Sequence, residues 1–243
     1  MNDPAASGGE YDQVIQNRAM DALLGALIGD ALALGPHWYY NLEEMRYDYG
    51  DWISDYTVPQ PNRYHAGLNA GQLSQAGFLL KMLMTSLAER GVYDEKDFCL
   101  RLETELFPLL DGTPVSGPGG YTSQSIREAW HRRIEQKLDW SETGGHADTT
   151  ETIERTLAIA VRYSKHPHKL TEAVASNTLL TQIDDTVVSM TVAYGAVLGM
   201  LVQGHQLDEN LSGKLMQLVK TDQLPFHSVT SDNLQPPKPG DPD

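Results

Sequence analysis

Four stretches of the chain hold side chains whose types and spacing can do chemistry. In Gly29-Asp30-Ala31-Leu32, Asp30 falls on the same helical face as Leu23, Leu27 and Leu34. A carboxylate on an apolar stripe must be paired, hydrogen-bonded or metal-bound to be buried; otherwise it caps a neighbouring loop from the end of its helix. His37-Trp38-Tyr39-Tyr40 follows directly on Gly35-Pro36. An imidazole and three aromatic rings at a helix exit can line a pocket for a flat or ribosyl ligand, or pack as an aromatic hinge. In Gly144-Gly145-His146-Ala147-Asp148-Thr149-Thr150-Glu151, Asp148 followed three residues later by Glu151 has the spacing of a capping box. A Gly-rich turn into a helix start also offers free N–H groups to a phosphate, although the Asp disfavours an anion. His37, Trp38, Tyr39, Asp148 and Thr149 are therefore the candidate ligand contacts. Last, Thr181-Gln182-Ile183 leads into Asp184-Asp185-Thr186. Adjacent carboxylates and a hydroxyl suit a hard cation such as Mg²⁺; the same residues equally suit a helix N-cap with an acid complementing the dipole.

The elements that must position these groups are helical. Met20, Leu23, Leu24, Leu27, Ile28, Ala31 and Leu34 follow i, i+3, i+4 spacing, which predicts a helix from about Tyr11 to Leu34, stopped by Gly35-Pro36. Others are predicted at Gln72–Arg90, Glu95–Leu110, Ser123–Gln136, Thr149–Ser164, Lys169–Thr178, Thr186–Gln203 and Asp208–Leu218. Tyr47 to Val58 is aromatic but broken by Gly50 and several Asp, and Asp111 to Gly120 is a Gly/Pro loop. Alternating strand patterns are nearly absent. The expectation is an all-α fold: a disordered segment at 1–10, one helical domain at 11–223, and a Pro-rich loop or tail at 224–243.

A chain of 243 residues suits one large domain. With 33 Asp and Glu against 18 Lys and Arg, the formal charge of −15 argues against nucleic acid and anionic membranes as partners. Cys99 is the single cysteine, so no intramolecular disulfide forms, and it sits between Phe98 and Leu100 as a core residue. The N-terminus lacks the basic and apolar regions of a secretory signal, and Leu23–Leu34 is too short and interrupted to span a bilayer. A cytoplasmic protein is the expectation. The sequence contains no GxxxxGK[ST], GxSxG, HExxH, CxxC or GxGxxG.

Several of these segments, in order, resemble the ADP-ribosylglycohydrolase family. They are the helix ending Gly25-Ala26-Leu27-Ile28-Gly29-Asp30-Ala31-Leu32, then Gly35-Pro36-His37-Trp38-Tyr39-Tyr40, Tyr64-His65, Gly71-Gln72, and Leu179-Leu180-Thr181-Gln182-Ile183-Asp184 with Val187-Val188. The segments after the first helix are similar to the family's J-type crystallin branch more than to its typical enzymes. The resemblance runs over roughly Arg18 to Gly204. It implies a mainly helical fold with an ADP-ribose pocket and, in active members, two Mg²⁺ ions that orient the ribose and polarise the glycosidic bond. The chain departs from that pattern. Active members carry a Thr-Asp-Asp-Thr-type metal motif where this chain has Gln72-Leu73-Ser74-Gln75, and a Glu where it has His37. The candidates left are Asp30 and His37 for catalysis, and Asp184, Asp185 and Thr186 for metal.

Three functions follow from these residues. The first is an ADP-ribosylglycohydrolase-type hydrolase assisted by Mg²⁺, with Glu43 or Glu44 replacing the missing acid. The second is a relative without catalysis that binds an ADP-ribosyl group near His37–Tyr40 or serves a crystallin-like structural role. The third is an unrelated helical interaction protein. ADP-ribose or an ADP-ribosylated molecule is the expected partner under the first two.

Overall fold

The computed structural model describes the backbone of residues 4–224 and the side chains of residues 12–224. Among the described residues there are nine α-helices and no strand; a single parallel bridge joins Gly145 to Gln182. The helices are α1 (Pro4–Ala33), α2 (Leu42–Tyr49), α3 (Gln75–Arg90), α4 (Glu95–Arg101), α5 (Gln124–Trp130), α6 (Ile153–Tyr163), α7 (Pro167–Leu179), α8 (Asp185–Gln203) and α9 (Asn210–Lys220). The all-α expectation holds. α1 takes in residues 4–10 of the segment expected to be disordered, and the Pro-rich stretch after Leu224 lies outside the described residues.

The helix ends follow local chemistry. Asn41, Ser74, Asp94 and Asp184 each cap a helix start with a side-chain oxygen that accepts from backbone N–H groups. Gly91 and Gly204 end α3 and α8 in the left-handed region. Two predicted helices are shorter in regular form than their periodicity implied. The segment from Glu95 runs as α4, then one π-turn at Leu102–Leu106, then a 3-10 turn at Phe107–Leu109 that contains Pro108. α5 likewise passes into a π-turn at His131–Glu135. α2 falls in a stretch that periodicity left without a helix, and none of its residues is buried.

The core lies where α3, α6, α7 and α8 meet, with α4 and α5 closing one side. Leu83, Phe98, Leu102, Leu106, Ala129, Ile159 and Ala160 are fully buried within it. α8 is the one described helix long and apolar enough to cross a membrane by length and composition. It packs on α1, α6 and α7, and buries Val188, Val192, Ala196 and Met200, so its apolar run is a core requirement. α1 packs on α3, α6 and α8 while leaving Met20, Leu24 and Ile28 exposed. The carboxyl end of α1 thereby reaches the start of α3 and the start of α6.

Candidate functional site

Asp30, Ala33 and Leu34 from the end of α1, His37 and His65 from the following loops, Ser74 and Ala76 from the start of α3, and Glu154 from α6 line a cleft of about 200 Å³. Asp30 is held there by two bonds from one residue. The Ser74 N–H donates to Asp30 Oδ2 at 2.8 Å and the Ser74 hydroxyl donates to Asp30 Oδ1 at 2.5 Å. The same Ser74 oxygen accepts from the N–H groups of Ala76 and Gly77, so it caps α3 and positions Asp30 together. Gly77 is required for this approach, because a Cβ there would collide with the Asp30 carboxylate.

Opposite Asp30 stands a histidine pair. His37 Nδ1 and His65 Nε2 are 2.6 Å apart, and the two rings are nearly parallel, 16° between planes with centroids 4.8 Å apart. His65 is buried, and its Nδ1 has no partner. A buried N–H without an acceptor is costlier than a bare ring nitrogen, so His65 donates from Nε2 and His37 accepts at Nδ1. His37 then carries its proton on Nε2, a donor left for the cleft. Burial pushes both imidazoles below their usual range; in His65 the neighbouring His37 adds to the fall, to about 4, against the pull of Asp30. Both are therefore neutral near pH 7.

Glu154 supplies the second carboxyl. Desolvation by the cleft walls, then the charges of Glu151 and Asp30, push it up to about 7 against the opposing Arg155. The residue is nonetheless exposed to solvent. The site thus offers an acceptor at Asp30, a donor at His37 and a carboxyl at Glu154 that exchanges its proton near neutral pH. At about 200 Å³ it is smaller than the roughly 300–1,000 Å³ that enclose a drug-sized ligand. It suits one ring of a longer molecule.

Of the residues singled out from the sequence, the structure brings Asp30 and His37 into this cleft. Trp38 sits behind His37 at φ 60°, with its ring edge-on to Tyr64 and Tyr121. Tyr39 is turned away and buried: its hydroxyl donates to Asp48 at 2.5 Å and Arg63 lies 3.7 Å over its ring. Asp148 is exposed and Thr149 half-buried, and neither lines the cleft. The predicted capping box does not form, because α6 starts only at Ile153 and Glu151 points elsewhere, accepting from the N–H groups of Gln124 and Ser125. Asp184 caps α8 through Val187 N–H at 3.0 Å; Asp184, Asp185 and Thr186 are exposed and stand apart from the cleft lining. Glu43 and Glu44 lie at the start of α2, not in the cleft lining, and Glu44 pairs with Arg63 at 2.8 Å. Glu154, His65 and Ser74 are functional candidates that residue patterns alone did not single out. A signal existed for Glu154, which shares a helical face with Ala158 and Val161.

The Mg²⁺ expectation can be set against these donors. A hard divalent cation takes six or more oxygens, mostly carboxylate. Among the described residues no group of three or more His, Cys, Asp or Glu is placed to hold a metal ion. In the cleft both oxygens of Asp30 accept from Ser74, and the remaining groups are two imidazoles bonded to each other and one carboxyl that titrates at about 7. This set does not fit a two-Mg²⁺ centre.

A family model described as ADP-ribosylglycohydrolase matches residues 12–235. No curated protein matches the sequence. Among solved structures, one described as an "ADP-ribosylglycohydrolase-related protein complex" is similar in fold, with a TM-score of 0.57 and 18% identity. The match covers 88% of this chain and 65% of that one, so this chain spans under two thirds of that protein's length. The chain belongs to the ADP-ribosylglycohydrolase family.

Proposed function

We propose that this ADP-ribosylglycohydrolase-family chain binds an ADP-ribosyl group in the Asp30–His37–Glu154 cleft, and that the described residues do so without a two-Mg²⁺ centre. The observation that carries the reading is Asp30 held through both oxygens by Ser74, at the helix start where the resemblance implies metal-binding carboxylates. A hydroxyl that caps α3 and also binds Asp30 leaves a site built for hydrogen bonding. In it a ribose ring would meet donors and acceptors of matched kind: His37 Nε2–H, the Glu154 carboxyl and the free lone pairs of Asp30. The nucleotide part would extend along the rim, since the cleft has room for one ring. Kinship with the J-type crystallin branch belongs to the same proposal, supported by the Gly35–Tyr40 run. So does a cytoplasmic setting, which the buried thiol of Cys99 tolerates.

The test is calorimetric titration of the chain with ADP-ribose, once in Mg²⁺ and once in EDTA. Equal binding in both supports the reading, and binding that requires Mg²⁺ overturns it. A second reading, hydrolysis of the glycosidic bond, is favoured by one observation: Glu154 titrates at about 7, where a carboxyl can give and take a proton, in the same cleft as Asp30. Release of ADP-ribose from an ADP-ribosylated peptide, lost in Glu154→Gln, would establish it.

A further inference from the structure

A second cavity, of about 360 Å³, opens where α6 gives way to α7 and both meet α8 and α9. It shares no lining residue with the Asp30 cleft. Its floor is apolar and buried, made by Leu170 of α7, Ala196 and Met200 of α8, and Leu224. α7 and α8 approach closely enough to form it because residue 199 is glycine; a Cβ there would stand 2.9 Å from Leu170 Cδ1. Its mouth carries Lys165, His205 and Lys214.

The charge around this cavity runs against that of the chain. Acids outnumber bases 33 to 18 overall, yet among the described residues no Asp or Glu lines it. The adjoining run Lys165-His166-Pro167-His168-Lys169 extends the basic rim over the neighbouring surface. Acids answer part of it: Asp12 pairs with Lys165, Glu172 lies 3.4 Å from His168, and Asp222 lines the same neighbouring surface. At the mouth itself, Lys214 Nζ lies 3.3 Å from His205 Nδ1. An ammonium group only donates, so the imidazole accepts at Nδ1 and carries its proton on Nε2. The mouth therefore presents an imidazole N–H and two further ammonium N–H groups above an apolar floor.

We infer that this cavity binds a small amphipathic anion, an acyl or aryl body on the Leu170–Met200 floor ending in one carboxylate that accepts from the Lys214 ammonium and the His205 Nε2–H. The apolar floor selects the body and the donors select the charge. The inference is independent of the cleft and of what the cleft binds.

Calorimetric titration of the full chain with octanoate tests it, with 1-octanol as the uncharged counterpart of equal length. Saturable binding at one site is expected, with a dissociation constant on the order of 0.1–1 mM for a ligand of this size. Lys214→Gln, at an exposed position, should weaken octanoate at least tenfold and leave 1-octanol unchanged, while His37→Ala should leave octanoate unchanged. Binding of 1-octanol as tight as octanoate, no loss in Lys214→Gln, or no saturable binding to the intact chain would each overturn the inference.

Discussion

Asp30 and Ser74 stand 44 residues apart in the chain, yet Ser74 gives Asp30 both its backbone and its hydroxyl proton. One hydroxyl so closes two accounts, the open N-terminus of α3 and the carboxylate at the end of α1. Ser74→Ala removes the cap and one of the two bonds to Asp30. The expected loss is about 1–3 kcal/mol, the sum of a lost N-cap and a weakened charged hydrogen bond. Asp30→Asn alone should cost less, because the cap survives. Urea unfolding of both single variants and the double gives the coupling. Strictly additive losses would show that the pair is not joined as described.

Glu151 makes a similar long-range cap. α5 begins after Ser123, whose side chain caps nothing; instead the Glu151 carboxylate accepts from Gln124 N–H at 3.0 Å and Ser125 N–H at 2.7 Å. A carboxylate on the first N–H groups of a helix also meets the favourable end of its dipole. Glu151→Ala should therefore destabilise the protein by about 1–2 kcal/mol and speed amide exchange at Gln124 and Ser125 first. Faster exchange at the start of α6 with α5 untouched would restore the local capping role that the Asp148–Glu151 spacing implied.

These two contacts mark where the sequence is legible and where it stops. α3 and α8 show in the spacing of apolar residues because each buries a stripe, α1 shows by the same spacing although Met20, Leu24 and Ile28 stay exposed, and their ends show because Gly35-Pro36, Gly91 and Gly204 act locally. α2 does not show, since nothing on it is buried and its stability rests on the Asn41 cap and the bonds of Tyr39 and Tyr49 to Asp48 and Val58. The cleft was half legible. Asp30 stood out as an acid on an apolar face and His37 as an imidazole at a helix exit. Their partners Ser74 and His65 come from segments that only packing brings together, and spacing along the chain carries no record of that; the face of Glu154 was legible, its place beside Asp30 was not. Asp148–Glu151 shows the converse error, a local pattern overridden by a partner elsewhere.

Arg155 ties α6 to α7 from within the core. It is 1% exposed, and its guanidinium donates to Asn177 Oδ1 at 2.6 Å, Asn177 O at 3.0 Å and Thr181 Oγ1 at 3.0 Å. Its hydrogen-bond partners are neutral oxygens, and burial pulls the group down to about 10. A lysine cannot reproduce the planar fork and would bury a compact, strongly hydrated charge with fewer bonds. Arg155→Lys is expected to cost about 3 kcal/mol or more. Arg155→Met, which removes the charge and keeps much of the volume, should cost less. Chemical denaturation ranks the two, and a smaller loss for lysine than for methionine would contradict a fork-shaped requirement.

The His37–His65 pair sets a pH dependence whose sign is fixed by burial. His65 titrates at about 4 in the folded protein, against about 6.5 unfolded. Between those values the unfolded chain takes up a proton that the native state refuses, so stability falls as pH drops through this window. The shift sets an upper limit of about 3 kcal/mol for His65, reduced by water that screens the cleft. Carboxylates also titrate at the low end, so the wild-type curve alone is ambiguous. His65→Gln resolves it, because glutamine cannot charge. Urea unfolding at pH 7, 6 and 5 should show the variant losing less stability than the wild type with each step down. Parallel curves would mean that the pair accepts a proton without cost, and that the single hydrogen bond between its rings does not require both to be neutral.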